Sequence, residues 1–339
     1  MLKRIITAGL MISAAALPLA AMAQDATAEA AEVTPIELPL VDPLAVTGDL
    51  IIAGSSTVFP LTEAVAALFT DEGYSGEITV DSIGTGGGFE RFCEAAETDI
   101  VNASRPIKAA EIAACEANGR TPIEFRVGTD ALAIVVSAEN DFLESLTLEQ
   151  LGQIFTGQVT TWDQVDSSFP AETIQLFSPG SDSGTFDYFV EEAAAPLFPD
   201  AEDDVAAGAE AVLIAPGIQL SEDDNVLVQG IEGSPYAIGY FGFAYFVENA
   251  DQLKLLGVDA GDGVIVPDEV TAEDGSYPLA RPLFIYSAPS VITEKPQVGE
   301  FISFYLTNVN DVIAEVGYFP ASVDALNLAK ENLLAALGQ

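Results

Sequence analysis

Hydrophobic and polar positions in the first half of the chain follow two alternating periods. Three short apolar runs have the length and boundaries of buried strands: 49–53, 77–83 and 99–103. The stretch that begins at Pro60 carries apolar residues at the spacing of one helical face: Leu61, Val65, Leu68 and Phe69. This repeated order of strand, turn and helix predicts βαβ units with a parallel sheet, and therefore an α/β fold.

Two strongly β-prone runs, at 131–137 and 283–286, interrupt this order. We interpret them as crossover strands, which carry the chain out of a first lobe and later back into it. Lobe 1 is then discontinuous and comprises residues 48–130 plus 282–339. Lobe 2 is formed by residues 131–281.

The two ends of the sequence differ from the rest of the chain. Residues 1–23 predict a signal peptide, because Lys3 and Arg4 precede an apolar run that ends in Ala21-Met22-Ala23. Residues 24–47 are rich in Ala, Glu, Thr and Pro without periodicity, which predicts a flexible leader. No later apolar run is long enough to span a membrane. We therefore expect an exported, periplasmic protein.

Composition excludes several classes of function. The 339 residues include 11 Lys and Arg against 53 Asp and Glu, with no His, for a formal net charge of −42. A nucleic acid partner is not expected, since the chain lacks a basic surface that would neutralise phosphates. The absence of His excludes Ser-His-Asp catalysis and His-ligated metal sites. We predict no cofactor and no metal site.

The two cysteines, Cys93 and Cys115, are 22 positions apart. Because an exported protein folds in an oxidising compartment, we predict a disulfide bond between them. A free or reactive thiol is the alternative.

Three turns rich in Gly, Ser and Thr each follow a strand and open a helix: 54–58, 84–88 and 180–185. Such turns direct backbone N–H groups, hydroxyls and the positive end of a helix dipole at one place. For each turn by itself, an ordinary helix cap is the favoured interpretation. Three of them favour an oxyanion site, because ligands bind beyond the carboxyl ends of strands in open α/β sheets.

Two charged residues are candidates for the same site. Arg105 directly follows the strand 99–103, where a guanidinium can bind an oxyanion with two hydrogen bonds. Asp182 lies inside the third turn, where it can accept the proton of a protonated oxyanion or hold Arg105 in place. The alternatives are a surface ion pair for Arg105 and an Asx-turn for Asp182. Arg91 and Arg126 are interpreted as structural.

Seven ordered blocks of sequence resemble one known family. They are Gly-Ser-Ser-Thr-Val (54–58), Gly-Thr-Gly-Gly-Gly (84–88), Asn-Ala-Ser-Arg-Pro-Ile (102–107), Asp-Ser-Gly-Thr-Phe-Asp-Tyr-Phe (182–189), Ser-Glu-Asp-Asp-Asn-Val-Leu-Val-Gln-Gly (221–230), Gly-Tyr-Phe-Gly-Phe-Ala-Tyr-Phe (239–246) and Tyr-Pro-Leu-Ala-Arg-Pro-Leu-Phe-Ile-Tyr (277–286). The chain closely resembles the periplasmic phosphate-binding proteins of Pst-type ABC transporters, over about residues 48 to 330. The resemblance implies a two-lobed, type II periplasmic-binding-protein fold, with two crossover strands and a ligand cleft between the lobes.

The resemblance also implies a function. We expect a monomeric receptor, not an enzyme, which captures inorganic phosphate in the cleft and delivers it to a membrane permease. By resemblance, seven of its phosphate ligands are Ser56, Thr57, Val58, Thr85, Ser183, Gly184 and Thr185.

The sequence departs from the best-known family pattern at two positions. Arg105 replaces an Asp of the pattern, and Pro179-Gly180-Ser181 replaces a segment that contains an Arg. Compared with the family pattern, the two charges are therefore exchanged between the lobes: the positive group, Arg105, comes from lobe 1 and the negative group, Asp182, from lobe 2. We hypothesise that Arg105 binds the oxyanion and Asp182 accepts the hydrogen of HPO₄²⁻.

Three alternatives to phosphate transport stay open at this point. The chain can be a receptor for another tetrahedral oxyanion, such as sulfate, molybdate or arsenate. It can be a secreted phosphatase-like enzyme with a Ser or Asp nucleophile, although the missing His argues against this. Finally, it can be an acidic surface protein in which the cleft has lost its ligand.

Overall fold

The structure is a computed structural model that describes residues 33–339. The predicted signal peptide and residues 24–32 of the predicted leader lie outside the described residues. Within residues 34–339 the chain forms a mixed α/β structure with two hydrophobic clusters.

Two β-sheets organise the described residues. Their strands are β1 (Leu50–Gly54), β2 (Ile78–Ser82), β3 (Ile100–Ala103), β4 (Ile123–Ser137), β5 (Ser145–Thr147), β6 (Gln175–Ser178), β7 (Gln219–Leu220), β8 (Ala237–Gly242), β9 (Leu253–Leu255), β10 (Gly257–Asp259), β11 (Val264–Ile265) and β12 (Ala280–Ser287). The larger sheet has the order β2-β1-β3-β12-β4-β8-β6-β7, with β9 also paired to β4, and the smaller has the order β11-β10-β5.

Thirteen α-helices are interspersed with these strands along the described residues. They are α1 (Phe59–Asp71), α2 (Gly84–Phe89), α3 (Ala109–Ala117), α4 (Leu148–Phe155), α5 (Trp162–Val165), α6 (Gly184–Phe189), α7 (Asp204–Leu213), α8 (Asp224–Glu232), α9 (Phe243–Glu248), α10 (Glu269–Glu273), α11 (Pro289–Glu294), α12 (Pro296–Val316) and α13 (Val323–Leu337). Helix α1 has Pro60 in its first turn, where a missing N–H costs nothing, and buries the predicted residues Leu61, Val65 and Phe69. Helix α12 is capped at its C-terminus by Gly317, whose φ of 97° suits glycine.

Parallel pairing holds each half of the sheet together. Strand β1 pairs in parallel with β2 and β3, and β6 pairs in parallel with β7 and β8. This is the arrangement that the repeated order of strand, turn and helix predicts, because parallel neighbours require a crossover connection.

The strands β4 and β12 connect the two halves. Residues 123–131 of β4 pair with β12, with a register shift at Val127, whereas residues 132–136 pair with β8. Buried apolar residues of one cluster run from Leu38 to Val127 and from Leu283 to Leu333, and those of the other run from Ala131 to Leu279. We use lobe 1 and lobe 2 for these two parts. The predicted fold class is confirmed: two α/β lobes with two crossover strands.

The segment that precedes β1 differs from the predicted flexible leader where it is described. The side chain of Asn327 accepts a hydrogen bond from the Ile36 N–H at 2.7 Å, and Lys330 donates one to the Ile36 carbonyl at 2.9 Å. Leu38 and Val46 are each only 8% exposed and join the core of lobe 1. Residues 34–46 therefore pack on lobe 1. Their few apolar side chains follow no helix or strand period, but burial against the core of lobe 1 still stabilises them.

A disulfide bond joins Cys93 and Cys115, as predicted. Cys93 lies in the π-helical turn Glu90–Glu94 that continues α2, and Cys115 lies in α3. The bond therefore ties together two helices of lobe 1 that flank β3. Among the described residues, no helix is both long and apolar enough to cross a membrane.

Candidate functional site

A cavity of about 730 Å³ lies between the two lobes. We call it the first cavity. Its lobe 1 wall comes from the turn after β1, the start of α2 and the segment after β3; its lobe 2 wall comes from α6 and the residues that follow it. Pro278, Ala280, Arg281 and Pro282, at the start of β12, form its base. The cleft that the sequence predicts is therefore present, and the carboxyl ends of β1 and β3 meet at it.

The first predicted turn is built around the hydroxyl of Ser55. Its oxygen accepts hydrogen bonds from the N–H groups of Thr57 at 3.2 Å and Val58 at 3.5 Å. The side chain of Val58 is fully buried, and Ser56 and Thr57 line the first cavity. A side chain at Gly54 would lie 2.1 Å from the Asn102 carbonyl oxygen, so this close passage of β1 over β3 requires glycine.

The second predicted turn forms the first turn of α2. The Thr85 hydroxyl accepts a hydrogen bond from the Ser104 N–H at 3.2 Å and lies 3.3 Å from the Ser104 hydroxyl. Both residues line the first cavity. The structure thus adds Ser104, which the sequence interpretation did not select, to the group of hydroxyls in this wall.

The third predicted turn touches the first across the cleft. Ser183 caps α6 through a hydrogen bond from the Thr185 N–H to its hydroxyl at 3.2 Å. A side chain at Gly184 would lie only 2.7 Å from the Thr57 nitrogen. The Ser56 hydroxyl also donates to the Asp187 carboxylate at 3.0 Å. The lobes therefore contact each other directly here, and the contact depends on glycine.

Arg105 lies in the first cavity, but its guanidinium is engaged within its own lobe. It donates to both carboxylate oxygens of Glu111 at 2.7 and 2.9 Å. Burial opposes ionisation of Glu111, but the hydrogen bonds from Arg105 and from the Lys108 N–H hold the pKa of this carboxyl below its usual value. An oxyanion that binds Arg105 therefore competes with Glu111 or shares the guanidinium with it.

Asp182 lies apart from Arg105. It is exposed, and its N–H donates to the Glu222 carboxylate at 3.4 Å. It lines a second cavity, of about 410 Å³, together with Glu222 and Asp224. Ser56, Ser183, Gly184 and Thr185 also border this second cavity, so the contact between the first and third turns separates the two cavities. The structure does not bring Arg105 and Asp182 to one place.

The second cavity is acidic. Burial and the neighbouring charges of Asp223 and Glu222 raise the pKa of Asp224 to about 6. No Lys or Arg is among the residues that line this cavity. An anion would therefore meet only repulsive side-chain charges there.

Arg281 lines the first cavity, and the sequence interpretation did not select it as a site residue. It is 7% exposed, and its Nε donates to Asp130 at 3.1 Å. Its Nη2 donates to the Thr57 hydroxyl and, at 2.9 Å, to the Gly184 carbonyl. Its guanidinium carbon lies 3.8 Å from the centre of the Tyr188 ring. The sequence feature that could have identified Arg281 is its position in the block 277–286, since basic residues are rare in this chain.

Basic residues are concentrated in the first cavity. Lys3 and Arg4 lie outside the described residues, and three of the nine remaining basic residues line the cavity: Arg105, Lys108 and Arg281. Arg91 and Arg126 instead pair with Asp81 and Glu273, at 2.6 and 2.8 Å. These two pairs agree with the structural role predicted for both arginines.

Three carboxylates face those cations in the first cavity: Asp187, Glu191 and Glu192. Burial raises the pKa of Glu191, and Arg281 opposes the increase. Burial and Glu191 raise the pKa of Glu192. Protonation therefore removes negative charge from this wall at a higher pH than for exposed carboxylates. Among the described residues, no group of three or more His, Cys, Asp or Glu is placed to hold a metal ion.

Comparison with known proteins identifies the class. The family model described as a PBP superfamily domain matches residues 26–309. Protein SphX of Synechocystis sp. is 42% identical over 284 residues, which cover 82% of this chain and 80% of SphX. Phosphate-binding protein PstS of Staphylococcus haemolyticus is 36% identical over 266 residues and 78% of each chain.

Solved structures agree with these relatives. A possible phosphate binding protein from Planctomyces limnophilus has a TM-score of 0.77 and 37% identity, over 86% of this chain and 100% of that one. An ABC-type phosphate transport receptor from Vibrio cholerae, at 22% identity, matches the fold with a TM-score of 0.59 over 80% of this chain and 99% of its own. The chain therefore has a periplasmic-binding-protein fold. It belongs to the family of phosphate-binding proteins that includes PstS and SphX.

Proposed function

We propose that this protein captures inorganic phosphate in the first cavity and delivers it to the membrane permease of an ABC transporter. The observation that carries the proposal is the convergence of the first and second Gly/Ser/Thr turns and three cations on one interlobe cavity. The phosphate-binding protein PstS of Staphylococcus haemolyticus and the possible phosphate binding protein of Planctomyces limnophilus support the choice of phosphate.

Phosphate is held mainly by neutral donors in this proposal. Hydroxyl and N–H groups surround the anion without adding net charge, as they do at other helix N-termini. Of the proposed ligands, Ser56, Thr57 and Thr85 line the first cavity, with Arg105 as the charged partner. Val58 follows Thr57 in the first turn, and Ser183, Gly184 and Thr185 border the second cavity and meet the first turn at the contact between Gly184 and Thr57. A protein with a net charge of −42 repels phosphate at long range, so capture depends on these local donors.

A carboxylate distinguishes phosphate from sulfate in this proposal. A protonated phosphate can donate a hydrogen bond to a carboxylate, whereas sulfate, which carries no proton at neutral pH, meets only repulsion. Asp182 is the predicted acceptor. Asp187 lines the same cavity as Arg105, and we therefore propose it as the second candidate.

Closure of the lobes completes the site. Thr57 belongs to lobe 1 and Gly184 belongs to lobe 2, and the two meet in the structure. Each lobe alone therefore offers only part of the set of donors, and both sets surround the anion only in the closed form. The same movement presents a different surface to a permease, which gives transport a signal that the ligand is bound.

The proposal includes the cellular setting. We place the mature protein in the periplasm as a monomer, after cleavage of the predicted signal peptide at residues 1–23. A solved structure with the same fold is an ABC-type phosphate transport receptor, from Vibrio cholerae. The first cavity lies between lobes of one chain, so no second copy is needed to build the site.

One observation favours a second candidate function. The hydrogen bond from the Ser56 hydroxyl to Asp187 resembles a nucleophile with its base, as in a phosphatase-like enzyme. A carboxylate is a much weaker base than the imidazole that usually activates a serine hydroxyl, so we rank this function below transport. Hydrolysis of a chromogenic phosphate ester tests it: turnover that is lost in Ser56→Ala would favour the enzyme.

Isothermal titration calorimetry of the mature protein tests the transport receptor. The protein is freed of ligand by partial unfolding and refolding, and phosphate, arsenate, molybdate and sulfate are titrated separately. We expect tight one-to-one binding of phosphate with little heat from sulfate. A response to another oxyanion instead of phosphate would change the ligand, and no response to any of them from refolded protein would refute the proposal.

A further inference from the structure

Arg281 and Asp130 form an ion pair at the point where the chain passes between lobes. The two residues are direct partners in the β12–β4 pairing, and β4 exchanges β12 for β8 just after Asp130. Arg281 has only 8% of its side chain exposed, and that of Asp130 has none. A cross-strand ion pair is therefore buried inside the hinge itself.

The same guanidinium reaches both lobes. Its Nη2 donates to the Thr57 hydroxyl of lobe 1 and to the Gly184 carbonyl of lobe 2, while its Nε stays on Asp130. Stacking on Tyr188, which belongs to lobe 2, fixes the plane of the group. Two of these acceptors belong to the turns that meet across the cleft. Arg281 can hold both only while the lobes are together.

One acceptor of the ion pair is left without a partner. Among the described residues, the Oδ1 of Asp130 is buried and makes no hydrogen bond. A buried carboxylate oxygen without a partner is costly, because the desolvation of the group is not repaid. An arginine beside a carboxylate normally binds both of its oxygens through two nitrogens. Here the second nitrogen, Nη2, is directed at Thr57 and Gly184 instead.

We propose that Arg281 is a positioning residue that couples anion binding to lobe closure by exchanging acceptors. In the closed form Nη2 bridges Thr57 and Gly184, and Asp130 Oδ1 has no partner. When the lobes separate, Gly184 leaves and Nη2 turns to Asp130 Oδ1, which restores a two-bond ion pair. The restored ion pair compensates the open form only in part for the lost contacts with Thr57 and Gly184, so Arg281 favours the closed form.

This inference rests on the proposed function, because phosphate is the ligand whose binding favours the closed form. An anion bound to the Thr57 and Gly184 turns holds both Arg281 acceptors in place, so binding and the Arg281 bridge reinforce each other. Removal of Arg281 uncouples them. The anion then still meets its donors but loses the bridge that favours closure.

The test uses the mature protein and a paired substitution. Arg281→Gln alone leaves Asp130 as an unpaired buried charge, which is strongly destabilising. The double variant Arg281→Gln/Asp130→Asn removes both charges together. Arg120→Gln is the matched control, since Arg120 also bonds several backbone carbonyls and stacks on an aromatic ring, Phe92, but lies within lobe 1.

Two measurements are made on each protein: phosphate affinity by calorimetry, and the radius of gyration by small-angle scattering with and without phosphate. We expect the double variant to bind phosphate at least tenfold more weakly. We also expect phosphate to reduce its radius of gyration less than it does in the wild type. The control variant should match the wild type in both, even if its melting temperature falls.

The outcomes separate the two proposals. Equal affinity and equal radii in the double variant and the wild type overturn the role of Arg281 and leave the proposed function intact. If the wild type does not bind phosphate, the proposed function fails. In that case the radii of gyration without ligand test the role of Arg281. Loss of the bridge must still give the double variant a larger radius than the wild type, and equal radii overturn the inference.

Discussion

The cleft contains two neighbouring cavities that differ in charge. The first is lined by Arg105, Lys108 and Arg281 as well as by three carboxylates. The second is lined by Asp182, Glu222 and Asp224, without a basic residue. Both lie against the same contact between Thr57 and Gly184. Similar hydroxyl-rich turns therefore border two very different electrostatic environments.

The comparison shows that turn geometry alone does not define an anion site. Ser56 borders both cavities, so its hydroxyl is available to either. The two cavities differ in their basic residues, which are scarce in a chain with 53 acidic residues and which line only the first of the two. Because an anion gains from nearby cations and loses beside unpaired carboxylates, we propose that phosphate binds in the first cavity and not in the second.

The largest effect is expected where the two cavities meet. In Gly184→Ala the new methyl group would lie 2.7 Å from the Thr57 nitrogen, so the lobes cannot close as they do here. We expect phosphate affinity to fall about 100-fold, or about 2.7 kcal/mol, as measured by calorimetry. Gly233→Ala is the control, since its nearest neighbours would be 3.5 Å away. Equal affinities in the two variants would contradict the role of the contact.

We expect the acidic second cavity to lower the stability of the folded protein, by an amount that depends on pH. The folded protein holds the pKa of Asp224 at about 6, above its ordinary value of 3.8. The stabilising effect of its proton is therefore full below pH 3.8 and is lost as the pH rises through 6. Since a tenfold change in proton affinity corresponds to about 1.4 kcal/mol and the carboxyl is partly solvated, Asp224→Asn should add about 2 kcal/mol of stability at pH 8.

Urea unfolding at pH 4 and pH 8 measures this difference. We expect Asp224→Asn and wild type to be nearly equal at pH 4 and to separate at pH 8. Asp311→Asn, on the exposed face of α12, is the control for a change in net charge. A gain of equal size at both pH values would show that burial of the Asp224 charge is not the cause.

A third prediction compares one charge from each cavity. Arg105→Gln removes a cation from the first cavity and should weaken phosphate binding about tenfold, as expected for loss of a charge-assisted hydrogen bond. Glu222→Gln removes an anion from the second cavity and should change affinity less than twofold. Calorimetry under identical conditions measures both. The reverse order would place the phosphate in the second cavity.

The smallest expected effect concerns selectivity. Asp187→Asn should lower the ratio of phosphate to sulfate affinity about fivefold, because the amide can donate to sulfate where the carboxylate repels it. Asp182→Asn should change that ratio less than twofold. Competition titrations with the two anions measure the ratio. If Asp182→Asn has the larger effect, Asp182 is the acceptor, as the sequence predicts, and Asp187 is not.

Local patterns in the sequence predicted the strands, helices and crossovers that make up the fold, and the family resemblance supplied the two-lobed architecture with its cleft. The runs 131–137 and 283–286 lie within β4 and β12, and the apolar face of α1 is the one that the spacing predicts. Helical and strand periods record which face of an element is buried, so they carry this information directly. The disulfide followed from composition, since two cysteines allow one pairing.

Long-range contacts at the site were not predictable in the same way. Arg281 and Thr57 are 224 positions apart, and no local period links them. Arg105 pairs with Glu111 because α3 begins at Ala109 and places the Glu111 carboxylate beside it. Asp182 faces Glu222 because the third turn orients it there. In each case the three-dimensional fold determines which residue becomes the partner.

The central claim is that phosphate occupies the first cavity, and an anomalous scattering experiment tests it most directly. Arsenate has the charge and geometry of phosphate, and its arsenic atom can be located at its absorption edge in crystals of the mature protein. The account predicts a single arsenic peak in the first cavity, within hydrogen-bonding reach of the Thr57 and Thr85 hydroxyls. A peak beside Asp182 and Glu222 in the second cavity would contradict it.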